Sequence, residues 1–124
     1  MRIDRLQMVS LEIPFKVSFK HASAERAQTA SVWVEAAAGG MVGHGEGCPR
    51  EYVTGESVSG ALDWFQRYRE DIVANITDLQ SLKEWISRHG PDIDYDPAAW
   101  CAIELALLDL FGREAGQPLE SLLS

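Results

Sequence analysis

The sequence predicts an α+β domain: a three-stranded antiparallel meander followed by a three-helix bundle. Three observations carry this. Apolar and polar residues alternate through the first third of the chain. A Gly-Gly pair separates two of the alternating runs. From Ser57 onward the apolar residues recur at steps of three and four. Alternation marks strands, the longer steps mark helices, and strands followed by helices is the α+β order.

Residues 2 to 13 form the first predicted strand, with Leu6 and Met8 on one face, Val9, Leu11 and Ile13 on the other, and Pro14 as its end. Residues 18 to 28, SFKHASAERAQ, break the alternation and read as a long polar loop, a kind that is often functional on a compact domain. Residues 29 to 38 alternate again, with Val32 and Val34 opposite Trp33 and Glu35. Gly39-Gly40 then turns the chain into Met41 to Glu46, because hairpin turns demand positive φ that glycine adopts freely. The first helix carries Val58, Ala61, Leu62, Phe65, Tyr68 and Ile72 on one stripe. Thr77 or Asp78 caps the second, with Leu79, Leu82, Trp85 and Ile86 on its stripe and His89-Gly90-Pro91 as its stop. The third opens at Asp96-Pro97, runs to about Glu114 and closes at Gly116.

The third helix is unusual. Between Pro97 and Gly112 its only charges are Glu104 and Asp109, about 140° apart at 100° per residue. A surface helix shows one wide polar face. This one is expected to be buried on more than one side, either by the sheet and helices of its own domain or by a partner.

At 124 residues the chain is expected to be a single domain, and a net charge of -8 with no basic run argues against nucleic acid and against anionic membranes. Cys48 and Cys101 read as free thiols of a reducing compartment. The N-terminus lacks the apolar segment of a signal peptide, so a soluble, cytoplasmic protein is expected.

Three candidate sites fall short of their chemistry. His44, Glu46 and Cys48 share a strand face, but His44 and Cys48 would stand about 13 Å apart, too far for one zinc. The glycines of MVGHGEG fit no dinucleotide loop, since no helix follows directly. A bare glycine face that lets a helix or the ring of Trp33 approach the backbone is the structural alternative. Asp92, Asp94 and Asp96 have Pro97 and Ile103 where a calcium loop needs glycine and glutamate, so Asp96 is read as a cap and the other two as solvated. His21, His44 and His89 show no informative spacing. Lys20-His21 is the one ionisable cluster on the long loop, read as a solvated segment or as a new site of its own.

Taken together, G-x-G-E-G-x-P at 43–49 and C-A-I-E-x-A-L-x-D-x-x-G-x-x-x-G-x-P-L-x-x-L-L at 101–123 resemble the N-terminal capping domain of the enolase superfamily, in the mandelate racemase and muconate lactonizing enzyme branch. Val53-Thr54-Gly55-Glu56 after Cys48-Pro49 looks most like its dipeptide epimerases. The resemblance implies an isomerase or lyase that abstracts a proton α to a carboxylate. The bases lie in a (β/α)₈ barrel, as does the Mg²⁺ that stabilises the enediolate. It implies that two capping loops select substrate, Phe19 to Arg26 and Pro49 to Thr54. The substrate-binding candidates on them are Phe19, Lys20, His21, Ser23, Arg26, Arg50, Tyr52, Val53 and Thr54. A barrel takes about 200 residues or more. The whole chain, 1 to 124, is therefore expected to be the capping domain alone, as a cloned domain, a truncated product or half of a split enzyme. No catalytic or metal residue is expected in it, and it should be inactive without its barrel. A barrel partner, a carboxylate-bearing small molecule and a homo-oligomer are the expected associations. The alternative is a stand-alone binding or self-assembly module. The choice among epimerisation, cycloisomerisation and dehydration is not written in these residues.

Overall fold

A computed structural model describes residues 2–14, 28–49 and 57–116. Three strands come first, β1 (Arg5–Pro14), β2 (Gln28–Ala38) and β3 (Met41–Gly47). Four helices follow, α1 (Val58–Asn75), α2 (Leu79–Arg88), α3 (Gly90–Tyr95) and α4 (Pro97–Ala115). The sheet is an antiparallel meander in the order β1-β2-β3. The predicted three helices are present. The six-residue α3 is an addition between the second and third. Gly90-Pro91 does end α2, but proline is harmless in a first turn, so the same residues also open α3.

Side-chain alternation sorts the sheet. Leu6, Met8, Val32, Val34, Ala36 and Ala38 are buried on the helix-facing side, while Val9 stands 48% exposed on the other. Gly39 and Gly40 have φ of 56° and 82°, the two positive values that a type I′ hairpin requires. Ser57 caps α1, its hydroxyl accepting from the Gly60 amide. Asp78, not Thr77, caps α2 and forms a reciprocal box with Ser81. Asp96 caps α4, and Gly116 at φ 68° ends it.

The glycine face of β3 is filled by α4. A Cβ on Gly43, Gly45 or Gly47 would lie 2.4 Å, 2.1 Å or 2.4 Å from a carbonyl oxygen of Ala106, Ala102 or Ala98. Trp33 is on the opposite side of the sheet, stacked on the His44 ring at 5.1 Å, so the helix alone makes the close approach. This contact explains the apolar circumference of α4. Ten of its residues are buried, from Ala99 to Gly112, by the sheet on one side and by neighbouring helices on the other. What remains outside is a narrow stripe through Cys101 and Leu105.

Behind the sheet, aromatic rings bind the helices to one another. Trp64, Tyr68, Trp85, His89 and Trp100 form a continuous cluster, with Trp85 stacked on Trp100 at 4.9 Å and on His89 at 3.9 Å. Each indole N–H in it finds an acceptor: Trp64 the Asp92 carbonyl, Trp85 the Asp71 carboxylate, Trp100 the Glu104 carboxylate. His89 was expected to be uninformative and Asp92 to be solvated. Instead Asp92 accepts from Tyr68 Oη at 2.7 Å and lies 3.1 Å from His89 Nδ1, because α3 carries it back over α1. Among the described residues no helix is long and apolar enough to cross a membrane.

Candidate functional site at the open end of the sheet

The register of the strands decides which strand ends lie together. Pro14 pairs with Gln28, so segment 15–27 joins β1 to β2 at one end of the sheet. Val32 pairs with Gly47, so β3 runs toward that same end and releases the chain into 48–56 there. Four residues of β2, from Val32 to Gln28, separate the two roots, roughly 14 Å at ~3.4 Å per residue. The first turn of α4 also lies at this end, since Gly47 abuts Ala98. The Gly39-Gly40 hairpin is at the opposite end, where Asp4 accepts from the Gly39 amide. One end of the fold therefore carries both segments that hold the predicted substrate-binding residues. Phe19, Lys20, His21, Ser23, Arg26, Arg50, Tyr52, Val53 and Thr54 themselves lie outside the described residues.

The described residues frame this end without supplying acid–base or metal chemistry. No three His, Cys, Asp or Glu side chains among them converge on a point that could hold an ion. His44 and Glu46 are exposed on the outer side of β3. The His44 backbone N–H, on the free edge of the sheet, donates to Asp109 Oδ2 at 2.9 Å. Asp109 is in turn paired with Arg113. This blunts an edge that would otherwise offer unpaired amides to another strand.

One residue near the open end was not singled out by the sequence. Ser31, next to Val32 on β2, is 1% exposed and its hydroxyl has no hydrogen-bond partner among the described residues. A buried hydroxyl is ordinarily paired. A serine in an alternating strand gives no sign of burial, since its parity places it with Trp33 on the outer face.

Cys48 and Cys101 are free thiols, both exposed. Partial burial, then the negative charge of Glu104, then Cys48 push the Cys101 thiol above its ordinary pKa.

Comparison with known proteins agrees with this architecture. Residues 4–124 match the family described as mandelate racemase / muconate lactonizing enzyme, N-terminal domain. A hydrophobic dipeptide epimerase of Enterococcus faecalis is 33% identical over 129 residues, covering 99% of this chain and 34% of the relative. An L-Ala-D/L-Glu epimerase of Bacteroides thetaiotaomicron is 27% identical, covering 85% of this chain and 27% of the relative. The chain thus spans about a third of the length of these curated relatives. The Enterococcus faecalis dipeptide epimerase solved with Mg and the dipeptide L-Leu-L-Tyr superimposes with a TM-score of 0.75 at 30% identity, over 100% of this chain and 35% of that one. Strand order, the helices behind the sheet and a family match over nearly the whole length agree: the chain belongs to the mandelate racemase/muconate lactonizing enzyme family, as its N-terminal domain.

Proposed function

We propose that this chain is the capping, substrate-selecting domain of a dipeptide epimerase, and that its own residues bind and enclose the substrate without exchanging a proton with it. The observation that carries this is the strand register, which roots segments 15–27 and 48–56 at one end of the sheet. Similarity to a hydrophobic dipeptide epimerase over 99% of the chain supports the same reading. Lys20, His21, Arg26 and Arg50 supply positive charge suited to a substrate carboxylate. Phe19, Ser23, Tyr52, Val53 and Thr54 shape the space around the rest of the dipeptide. Closure of both segments over a barrel mouth would exclude water and strengthen the electrostatics inside.

The described residues do not fit a magnesium ion, for want of converging carboxylates. In this proposal the ion neutralises charge beside the substrate carboxylate and belongs to the barrel, together with the bases.

The test is a fusion in which residues 1–124 replace the N-terminal domain of the Enterococcus faecalis enzyme. Epimerisation is followed as solvent deuterium entering the α-position of hydrophobic dipeptides. The fusion should turn over at least one dipeptide, and the isolated chain none. A folded fusion that binds and exchanges no dipeptide would overturn the assignment.

A further inference from the structure

The packing of α4 along β3 carries Cys101 to the end of the strand that Cys48 follows. On α4 the row Ala98, Ala102, Ala106 and Leu110 faces the bare glycines, and the adjacent row Cys101, Leu105 and Asp109 runs beside the free edge of β3. Two fixed points set the alignment of that second row. Asp109 accepts from the His44 amide at 2.9 Å, and Leu105 Cβ lies 2.9 Å from where a Gly45 Cβ would be. The elements run in opposite directions, and their steps nearly match. Four residues of helix advance about 6 Å, and two residues of strand about 6.7 Å. Continuing from Asp109 beside His44, the row passes Leu105 at Gly45 and brings Cys101 to the end of the strand, at Gly47 and Cys48. The last position is fixed independently, because Gly47 touches the turn Ala98–Ala102 on which Cys101 stands. Both thiols are exposed. A disulfide needs Cα atoms about 4.4–6.8 Å apart; Gly47, beside Cys48, touches the helical turn that carries Cys101, and the charge of Cys48 is felt at the Cys101 thiol.

We propose that Cys48 and Cys101 are a reversible dithiol–disulfide pair, a modification site that ties the root of segment 48–56 to α4. With a peroxide as oxidant, one thiolate attacks the O–O bond and becomes a sulfenic acid as hydroxide leaves. The second thiolate then attacks that sulfur and expels a second hydroxide. In sum two thiols and one hydrogen peroxide give one disulfide and two waters. Cys48 is oxidised first. Cys101, whose thiol is raised by partial burial and then by the charge of Glu104, forms its thiolate less readily and acts second, as the resolving thiol. Because the bond closes on an exposed surface, reductant reaches it as readily as oxidant.

The full chain, treated with hydrogen peroxide and then with an alkylating agent, tests this. Free thiols should fall from two to none with the protein still monomeric and lighter by two hydrogens. A proteolytic fragment should join Cys48 to Cys101, and dithiothreitol should restore both thiols. Cys101→Ser should instead leave a dimedone-reactive sulfenic acid at Cys48. Separate sulfinic or sulfonic acids on the two residues of the unsubstituted chain, or cross-links only between chains, would overturn the proposal whether or not the variant folds. The bond forms in the chain alone, so this outcome is independent of the epimerase reading. Loss of dipeptide turnover in the fusion bears on that reading alone.

Discussion

At the scale of single residues, the spacing of Gly43, Gly45 and Gly47 was the most legible feature of the chain. Glycines at every second position give a strand one bare face, and a bare face has a use only when backbone approaches it. Which neighbour would approach was not legible, because both a helix and the ring of Trp33 satisfied the pattern. The structure assigns the contact to α4, with backbone atoms of Ala102 and Ala106 2.1 and 2.7 Å from a Cβ at Gly45. Neither can yield as the tip of a side chain would. Gly45→Ala should therefore force strand and helix apart and destabilise the domain by about 3 kcal/mol, at the upper end for overpacked cores. A denaturant midpoint unchanged from the parent chain would contradict that contact. Ser31 is the opposite case. Its burial runs against its place on the outer face, and a buried hydroxyl with no partner among the described residues is a standing cost. Ser31→Ala should raise stability by about 1 kcal/mol in the same titration. A loss would reveal that the hydroxyl has a partner in the folded chain.

At the scale of elements, the caps were legible because their chemistry is local. Asp96-Pro97 opens α4 and Gly116 closes it as the residue types dictate. The position of α3 was not. Gly90-Pro91 is as good a stop as a start, and only the return of Asp92 to Tyr68 shows which use the fold makes of it. That bond also ties α1 to α3 with a double pH limit. Its first effect on Asp92 is to hold the carboxyl below its ordinary range, with His89 adding to it. The same bond holds the Tyr68 hydroxyl above its ordinary value. For Asp92, a folded pKa below the unfolded one gives stability that is complete above about 4 and lost as pH falls through the lowered value. For Tyr68, a folded pKa above the unfolded one gives stability that is complete below about 10 and lost as pH rises through the raised value. Tyr68→Phe should flatten both the acid and the alkaline limb of the stability profile, whereas a surface tyrosine would affect only the alkaline one. Chemical denaturation across pH, read by tryptophan fluorescence, distinguishes the two, since Trp64 and Trp85 lie against the Tyr68 ring.

At the scale of the whole molecule, the meander, the helices and the buried character of α4 were all present in periodicity and composition. That the roots of segments 15–27 and 48–56 share one end of the sheet was not, because it depends on strand register, and register is a pairing of distant residues. That pairing leads to a kinetic prediction about division of labour. If the capping domain contributes enclosure and charge but no base, its residues interact with substrate and transition state about equally. Removing such an interaction raises KM and leaves kcat near its starting value, whereas removing a base lowers kcat. In the fusion with the Enterococcus faecalis barrel, Lys20→Ala and Arg50→Ala should each raise KM for a hydrophobic dipeptide about 10-fold, the equivalent of about 1.4 kcal/mol of binding. The kcat for α-deuterium exchange should stay within a factor of about two, since no group that moves the proton has been touched. A fall in kcat at unchanged KM would place the proton transfer within residues 15–27 or 48–56, and would give this chain a catalytic part that the enclosure argument denies it.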